Sequence, residues 1–146
     1  MASKERFALP CAVSLLLVKD GKVLLLRRHN TGWQDGKYGV PAGHIEGDES
    51  LTDALLREAY EEIGININSD DVAFAHMTHT KSNREYLYVY FVVERWQGQP
   101  YNKESDKCDR LYWAPLDRLP RNTVPIIRKA IEGYREGVRY SEDGWR

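Results

Sequence analysis

One run constrains the fold more than any other part of the chain: GHIEGDESLTDALLREAYEEIGI, from Gly43 to Ile65. Its first residues include glycines and acidic residues, which are typical of a loop. Ser50, followed three residues later by Asp53, has the form of a capping box and predicts the start of a helix. Gly64 suits the left-handed conformation that follows a last helical turn, so it predicts the helix end. The run therefore predicts a loop followed by one helix.

The spacing of residues along this helix separates an apolar side from an acidic side. The apolar side, which is expected to pack on a core, holds Leu55, Leu56, Ala59, Tyr60 and Ile63. Glu58, Glu61 and Glu62 follow closely enough that, at about 100° per residue, their carboxylates share one side. Like charges at this spacing destabilise an isolated helix, so this side is either a solvated acidic face or a cation site. Clustered carboxylate oxygens suit Mg²⁺ or Mn²⁺.

The whole run also follows a longer pattern of fixed spacing. A Gly, a Glu, an Arg-Glu pair, a Glu-Glu pair and a second Gly recur with set gaps, and apolar residues lie between and after them. These positions are Gly43, Glu49, Arg57, Glu58, Ala59, Glu61, Glu62, Gly64 and Ile65. The pattern resembles the box of the Nudix hydrolase family, without substitution. The resemblance implies the α/β class, an α/β/α sandwich around a mixed β-sheet, with residues 1–146 as a single Nudix hydrolase domain.

The resemblance implies a metal site on the acidic side of the helix. Glu58 and Glu62 match the leading metal ligands of the family. Glu61 matches either a further ligand or the base that takes the proton of a water molecule. The backbone carbonyl of Gly43 is an additional expected ligand. The cofactor implied by this ligand set is Mg²⁺, with Mn²⁺ as the alternative.

Arg57 and Glu49 are assigned to the catalytic machinery by the same resemblance, but not to contact with the substrate. The guanidinium group of an arginine suits bidentate pairing with a carboxylate. We therefore expect Arg57 to hold Glu49 or Glu61 in register.

The polar loop over residues 97–109 contains further acidic candidates. Some Nudix proteins place an acidic residue in such a loop, as a metal ligand or as the general base. Glu104, Asp106 and Asp109 occupy the corresponding region, and Glu104 is the first choice. The sequence leaves the general base open between Glu61 and these loop residues.

Two regions outside the box are expected to contact the substrate. Arg27 and Arg28 are neighbours at the end of a predicted strand, so they point to opposite faces and one of them could face the site. The resemblance to the Nudix family implies that a basic residue near this place contacts a substrate phosphate. Trp33, in the loop that follows, is either a surface-capping aromatic or a base-stacking one. Tyr88 lies in a strand where tyrosines alternate with aliphatic residues. That tyrosine face is either a plain outer face or the wall of a nucleotide cleft.

The remaining elements follow from hydrophobic alternation and from turn residues. Strands are predicted over residues 8–18, 23–28, 38–43, 72–80, 85–96 and 111–114, and a second long helix over residues 122–133. The segment Lys19-Asp20-Gly21-Lys22 predicts a tight hairpin turn between the first two strands. The tail over residues 140–146 gives no functional signal.

Composition excludes several classes of partner. The chain has 146 residues and a net charge of −1, so no global field attracts a nucleic-acid polymer or an anionic membrane. No stretch approaches the ~18 apolar residues of a membrane span, and the first residues lack the apolar region of a signal peptide. We expect a cytoplasmic protein that binds a small molecule, with monomer and homodimer both open.

The resemblance implies Mg²⁺-dependent hydrolysis of a phosphoanhydride bond. Markers of more specialised Nudix branches are missing, which leaves a MutT-like pyrophosphohydrolase. Its expected substrate is a (d)NTP or modified nucleotide, with NMP and pyrophosphate as products. One alternative is a nucleoside diphosphate linked to another moiety, such as an NDP-sugar or a dinucleoside polyphosphate. The other is a catalytically silent nucleotide-binding module.

Overall fold

The computed structural model describes residues 5–145, which form one mixed sheet of eight strands flanked by two α-helices. The elements are β1 (Cys11–Lys19), β2 (Lys22–Arg28), β3 (Tyr38–Gly39), β4 (Ala42–His44), α1 (Leu51–Ile63), a short 3₁₀ helix (Ser69–Asp71), β5 (Val72–Lys81), β6 (Glu85–Val93), β7 (Cys108–Pro115), α2 (Pro125–Glu136) and β8 (Tyr140–Asp143). Neither helix within residues 5–145 is long and apolar enough to cross a bilayer.

The sheet is mixed because two of its strand pairs are parallel. The strand order is β3-β2-β1-β6-β5-β8, with β4 also paired to β1 and β7 to β2. Strands β1 and β6 run parallel, as do β5 and β8, while the other pairs are antiparallel. The predicted hairpin between β1 and β2 is confirmed. Asp20 and Gly21 have φ values of 52° and 74°, the left-handed pair that a two-residue hairpin turn requires.

The two helices cover opposite faces of the sheet. Alternate residues of β1 point to opposite faces, so Val13, Leu15 and Leu17 pack under α1. Leu16 and Val18 belong to the second cluster, under α2. This arrangement confirms the α/β sandwich around a mixed sheet.

Several predicted boundaries differ from the structure. The single strand expected over residues 38–43 is two strands, β3 and β4, because Pro41 has no N–H to donate to a ladder. The strand expected to reach residue 96 ends at Val93, and β7 begins at Cys108 rather than at residue 111. The second helix begins at Pro125 and reaches Glu136, since a proline fits the first helical position.

Strand β8 is not predicted by the sequence. Its residues, Tyr140–Asp143, show no apolar alternation, and none of them is fully buried. It forms the edge of the sheet by pairing with β5, a long-range contact that no local pattern indicates.

Candidate active site

Both ends of helix α1 are as the sequence predicts. The Ser50 side chain accepts a hydrogen bond of 3.0 Å from the backbone N–H of Asp53. Gly64 ends the helix with a φ of 69°, and its N–H donates to the carbonyl of Tyr60. These caps set the rotation and length of the helix, and with them the positions of its glutamates.

Arg57 lies at the centre of the acidic cluster. Its guanidinium donates two hydrogen bonds to the Glu49 carboxylate, of 2.7 and 3.2 Å. A third, of 2.7 Å, reaches Glu58, and the nearest Glu61 oxygen is 3.6 Å away. These hydrogen bonds hold the pKa of Glu49 below its usual range. The structure therefore places Arg57 on Glu49, the first of the two partners expected from the sequence.

Gly43 gives the Glu58 carboxylate the room that it occupies. A Cβ atom at this position would overlap with the Glu58 carboxylate. The Glu58 side chain is 14% exposed, and burial raises its pKa, while the hydrogen bond from Arg57 acts in the opposite direction. Only glycine at position 43 thus allows β4 and α1 to approach this closely.

Glu62 is the most deeply buried carboxylate of the cluster. Its Oε2 atom accepts a hydrogen bond of 2.9 Å from the backbone N–H of Ala42. Burial, and then the negative charges of Glu58 and Glu104, raise its pKa to about 9. The carboxyl group is thus protonated at neutral pH until a cation offsets these charges.

The donor set fits a hard divalent cation. Glu58 raises the pKa of Glu62, and Glu104 and Glu61 raise the pKa values of both, an effect that a bound cation would reverse. Within residues 5–145 no three His, Cys, Asp or Glu side chains are already arranged as a metal-ligand set. Arg57 and the N–H of Ala42 occupy oxygens of Glu58 and Glu62 instead.

Glu104 is brought to the cluster by the backbone of its loop. The last carbonyls of a helix lack partners within the helix, and here the loop supplies them. The N–H of Tyr101 donates to the carbonyl of Ile63, and that of Lys103 donates to the carbonyl of Glu62, both at 3.1 Å. Glu104 comes close enough to raise the pKa values of both buried glutamates.

The other two loop acids are not held against the glutamates in this way. Asp106 is exposed to solvent. Asp109 pairs with Arg27 at 2.7 Å and lies 3.7 Å from His29. Arg27 therefore faces a carboxylate, and only Arg28 of the arginine pair reaches the cleft described next.

A cleft of about 810 Å³ opens beside the glutamate cluster. The first turn of α2 and residues of β1, β4 and β6 surround it. At one end, Arg28 donates hydrogen bonds to the carbonyl of Trp33 and to Thr31, of 2.7 and 2.9 Å. Its guanidinium also lies 4.8 Å from the centre of the Trp33 ring. Arg28 is close enough to interact electrostatically with Glu62 when that carboxyl is ionised, so this end joins the cleft to the glutamates.

The tyrosine face of β6 forms a wall of this cleft. Tyr86 and Tyr88 stack with ring centres 5.9 Å apart. Tyr90 is fully buried, and within the described residues its hydroxyl has no hydrogen-bond partner. Of the two interpretations of this face, the structure thus places the tyrosines along a cleft rather than on a plain outer surface.

Several wall residues are missing from the predicted site residues, among them His44, Thr80 and Asp143. His44 is inside the box and could have been considered from its position next to Gly43. Thr80 lies beside Tyr86 through the pairing of β5 with β6, whereas Asp143 enters the wall through the pairing of β8 with β5, for which the sequence has no local indication.

Comparison with known proteins defines the class of this site. The model of the NUDIX domain matches residues 9–134, so the chain belongs to the Nudix family. Phosphatase NudJ of Shigella boydii is 27% identical over 131 residues, which cover 88% of this chain and 84% of NudJ. The expected family and the expected enzyme class, a Nudix hydrolase, are confirmed.

Solved structures show the same fold. The MutT NUDIX hydrolase from Burkholderia pseudomallei is 24% identical, with a TM-score of 0.79 over 86% of this chain and 98% of that one. A NUDIX hydrolase from Nitrosomonas europaea is 26% identical, with a TM-score of 0.75 over 91% and 93%.

Proposed function

We propose that the protein hydrolyses a phosphoanhydride bond of a small nucleotide in the presence of Mg²⁺. The preferred substrate is a (d)NTP or modified nucleotide, which gives NMP and pyrophosphate. The observation that supports this most is the contact of Glu58 with Gly43 at the mouth of an aromatic cleft. Buried carboxylates, a nearby Arg28 and stacked aromatic rings are the groups that phosphates, cations and bases require.

The glutamates and Gly43 would hold the cation. Glu58, Glu62 and the carbonyl of Gly43 are its proposed ligands, with Glu61 close by. When bound there, Mg²⁺ would supply positive charge to the phosphates and would lower the pKa of a water molecule. Glu61 or Glu104 would accept the proton of the attacking water, and hydrolysis requires that water to be in line with the leaving group.

Arg57, Arg28 and Trp33 complete the proposed assignment. Arg57 positions the cluster by holding Glu49 and Glu58, without contact with the substrate. Arg28 contacts a phosphate, since it lines the cleft and interacts electrostatically with Glu62. Trp33 and Tyr88 stack on the base or on another flat group, because both line the cleft.

The length of the cleft favours a second class of substrate. Its walls extend from β4 across the sheet to β8, well beyond the glutamate cluster. A nucleoside diphosphate linked to another moiety would occupy both ends at once.

The third candidate is a silent nucleotide-binding module. Loss of catalysis in such a module would be expected to leave a damaged glutamate set, and here the set is intact.

A substrate panel with Glu62→Gln as the control tests this proposal. Purified protein and Mg²⁺ are incubated with (d)NTPs, oxidised nucleotides, nucleotide sugars and dinucleoside polyphosphates, and phosphate and pyrophosphate are measured separately. Pyrophosphate from a triphosphate, absent with the variant, supports the first candidate. Phosphate released only after phosphatase treatment supports the linked-nucleotide class. Binding without turnover of any compound supports the silent module and contradicts the hydrolase proposal.

A further inference from the structure

The C-terminal strand extends the cleft beyond the part of the chain that the family model matches. That match ends at residue 134, whereas β8 spans Tyr140–Asp143. Strand β8 pairs in parallel with β5, from Met77 opposite Tyr140 to Thr80 opposite Asp143. This edge of the cleft is therefore not described by the family match.

Strand β8 is held in place by side chains on two sides. The His76 ring is 1% exposed; its Nδ1 lies 2.7 Å from the carbonyl of Val138 and its Nε2 lies 2.8 Å from the Ser141 hydroxyl. Trp145, just after the strand, donates a hydrogen bond of 3.0 Å to the carbonyl of His79 and packs on its ring. Because buried and stacked groups fix both ends, the strand presents its side chains in a defined position.

Asp143 is on the face of β8 that joins the cleft. It pairs with Thr80, which pairs in turn with Tyr86, and paired residues share one face of a sheet. Gly144 follows with a φ of 79°, and a Cβ there would overlap with the carbonyl of Lys81. This close approach of the backbone keeps Asp143 at the cleft wall.

Asp143 is distant from the glutamate cluster and opposite to Arg28 in charge. Four strand spacings, from β4 to β8, separate it from Gly43, or about 19 Å across the sheet. Among residues 5–145 no side chain forms an ion pair or a hydrogen bond with its carboxylate. Lys81 lines the same end of the cleft, with its ammonium group 5.3 Å from the centre of the Trp145 ring, so the Asp143 carboxylate is a hydrogen-bond acceptor at an end that also holds a cation.

We infer that Asp143 is a specificity-determining residue that selects substrates with hydrogen-bond donors at the end remote from the reacting phosphates. This inference rests on the proposed function, in which the phosphates lie at the glutamates. An ionised carboxylate accepts hydrogen bonds from N–H or O–H groups and repels anions. The donors are either the amino group of a base or the hydroxyl groups of a sugar. The Asp143 charge also opposes the binding of a phosphate at that end, against the attraction of Lys81.

Asp143→Asn tests the inference, because it removes the charge and keeps the shape. Glu142→Gln is the matched control, since Glu142 is the neighbouring residue, is exposed and is outside the cleft wall. Three pairs of probes isolate the chemistry: ATP against ITP for the base amino group, ATP against dATP for a sugar hydroxyl, and NADH against NADPH for a remote phosphate. KM and kcat are measured in Mg²⁺, and dissociation constants by calorimetry in Ca²⁺.

The expected result is a selectivity of about tenfold in the wild type for the donor-bearing or uncharged member of at least one pair. Asp143→Asn reduces that ratio to below about twofold through KM or the dissociation constant, while Glu142→Gln retains it. Loss in the ATP–ITP pair assigns the contact to the base, and loss in the ATP–dATP pair assigns it to the sugar. Equal ratios in the wild type and in Asp143→Asn overturn the inference. Calorimetry measures these ratios even if the protein hydrolyses none of the probes. Absence of hydrolysis would contradict the proposed function, but it would leave the role of Asp143 in selectivity to be decided by the dissociation constants.

Discussion

Arg57 donates two hydrogen bonds to the carboxylate of Glu49, eight residues earlier in the chain, and a third to the carboxylate of Glu58. One side chain thus joins the loop before α1 to a glutamate within it. A lysine cannot reproduce this fork, since its ammonium group is a point charge on a flexible stem.

We therefore expect Arg57→Lys to lower kcat by about 10–100-fold while KM changes little, as is usual when a group behind the ligands is replaced. Steady-state kinetics with the best substrate of the panel measures both constants. Arg95→Lys, at an exposed position, is the control and should match the wild type. A normal kcat in Arg57→Lys would contradict the positioning role.

Gly43→Ala should displace the Glu58 carboxylate, because the new Cβ would overlap with it. A shift of about 1 Å in such a group costs about 100-fold in rate, so we expect kcat/KM to fall by about that factor. The melting temperature should fall as well.

The double variant Gly43→Ala/Glu58→Asp separates the overlap from other effects of the alanine. A shorter side chain relieves the overlap, so the melting temperature should recover in part although activity does not. Differential scanning calorimetry measures this recovery. If Glu58→Asp lowers the melting temperature as much in the Gly43→Ala protein as it does in the wild type, the overlap is not the cause of the destabilisation.

Glu62 should make the metal-free protein less stable as pH rises. Its folded-state pKa, raised to about 9, lies above the usual value of a glutamate. The folded state therefore binds more protons than the unfolded state between these two pKa values, and the free energy of unfolding falls with pH across that window.

Thermal unfolding from pH 5 to pH 9, in EDTA and then in Mg²⁺, measures this effect. Glu62→Gln does not titrate, so it should be more stable than the wild type at pH 8 in EDTA, with a flatter pH dependence. Mg²⁺ should raise the melting temperature of the wild type more than that of the variant. Parallel pH profiles for the two proteins would show that the Glu62 carboxyl does not titrate as expected.

Tyr90→Phe should stabilise the protein by about 1 kcal/mol, because it removes a buried hydroxyl that has no partner within the described residues. Urea unfolding measures the change in free energy. Tyr140→Phe is the control: its hydroxyl bonds to Glu142 at an exposed site, so the effect there should be small. Destabilisation by Tyr90→Phe would show that water or a ligand already satisfies the hydroxyl.

Local spacing was enough to predict the helix that carries the glutamates. Ser50, Gly64 and the repeated glutamates act within one turn of their neighbours, so the sequence shows their relation directly. The pairing of Arg57 with Glu49, eight residues away in the loop, was one of two alternatives, and only the other, Glu61, lies about one turn from Arg57.

Contacts between distant segments could not be read in this way. The cleft depends on the side of β6 that α2 leaves open and on a strand, β8, that forms only against β5. The sequence left Tyr88 either on a plain outer face or on the wall of a cleft, and it did not predict Asp143 as a site residue. Arg27 and Arg28 were separated only by the presence of Asp109 opposite one of them.

Glu62 is held at both ends by segments far apart in the chain. The N–H of Ala42 binds its carboxylate, and the N–H of Lys103 binds its backbone carbonyl. The conformational entropy of ordering this side chain is therefore lost when the protein folds, and not when a cation or substrate arrives. If Glu62 binds a cation as proposed, the affinity depends on the stability of these two segments, and a substitution in either one should weaken binding without contact with the cation.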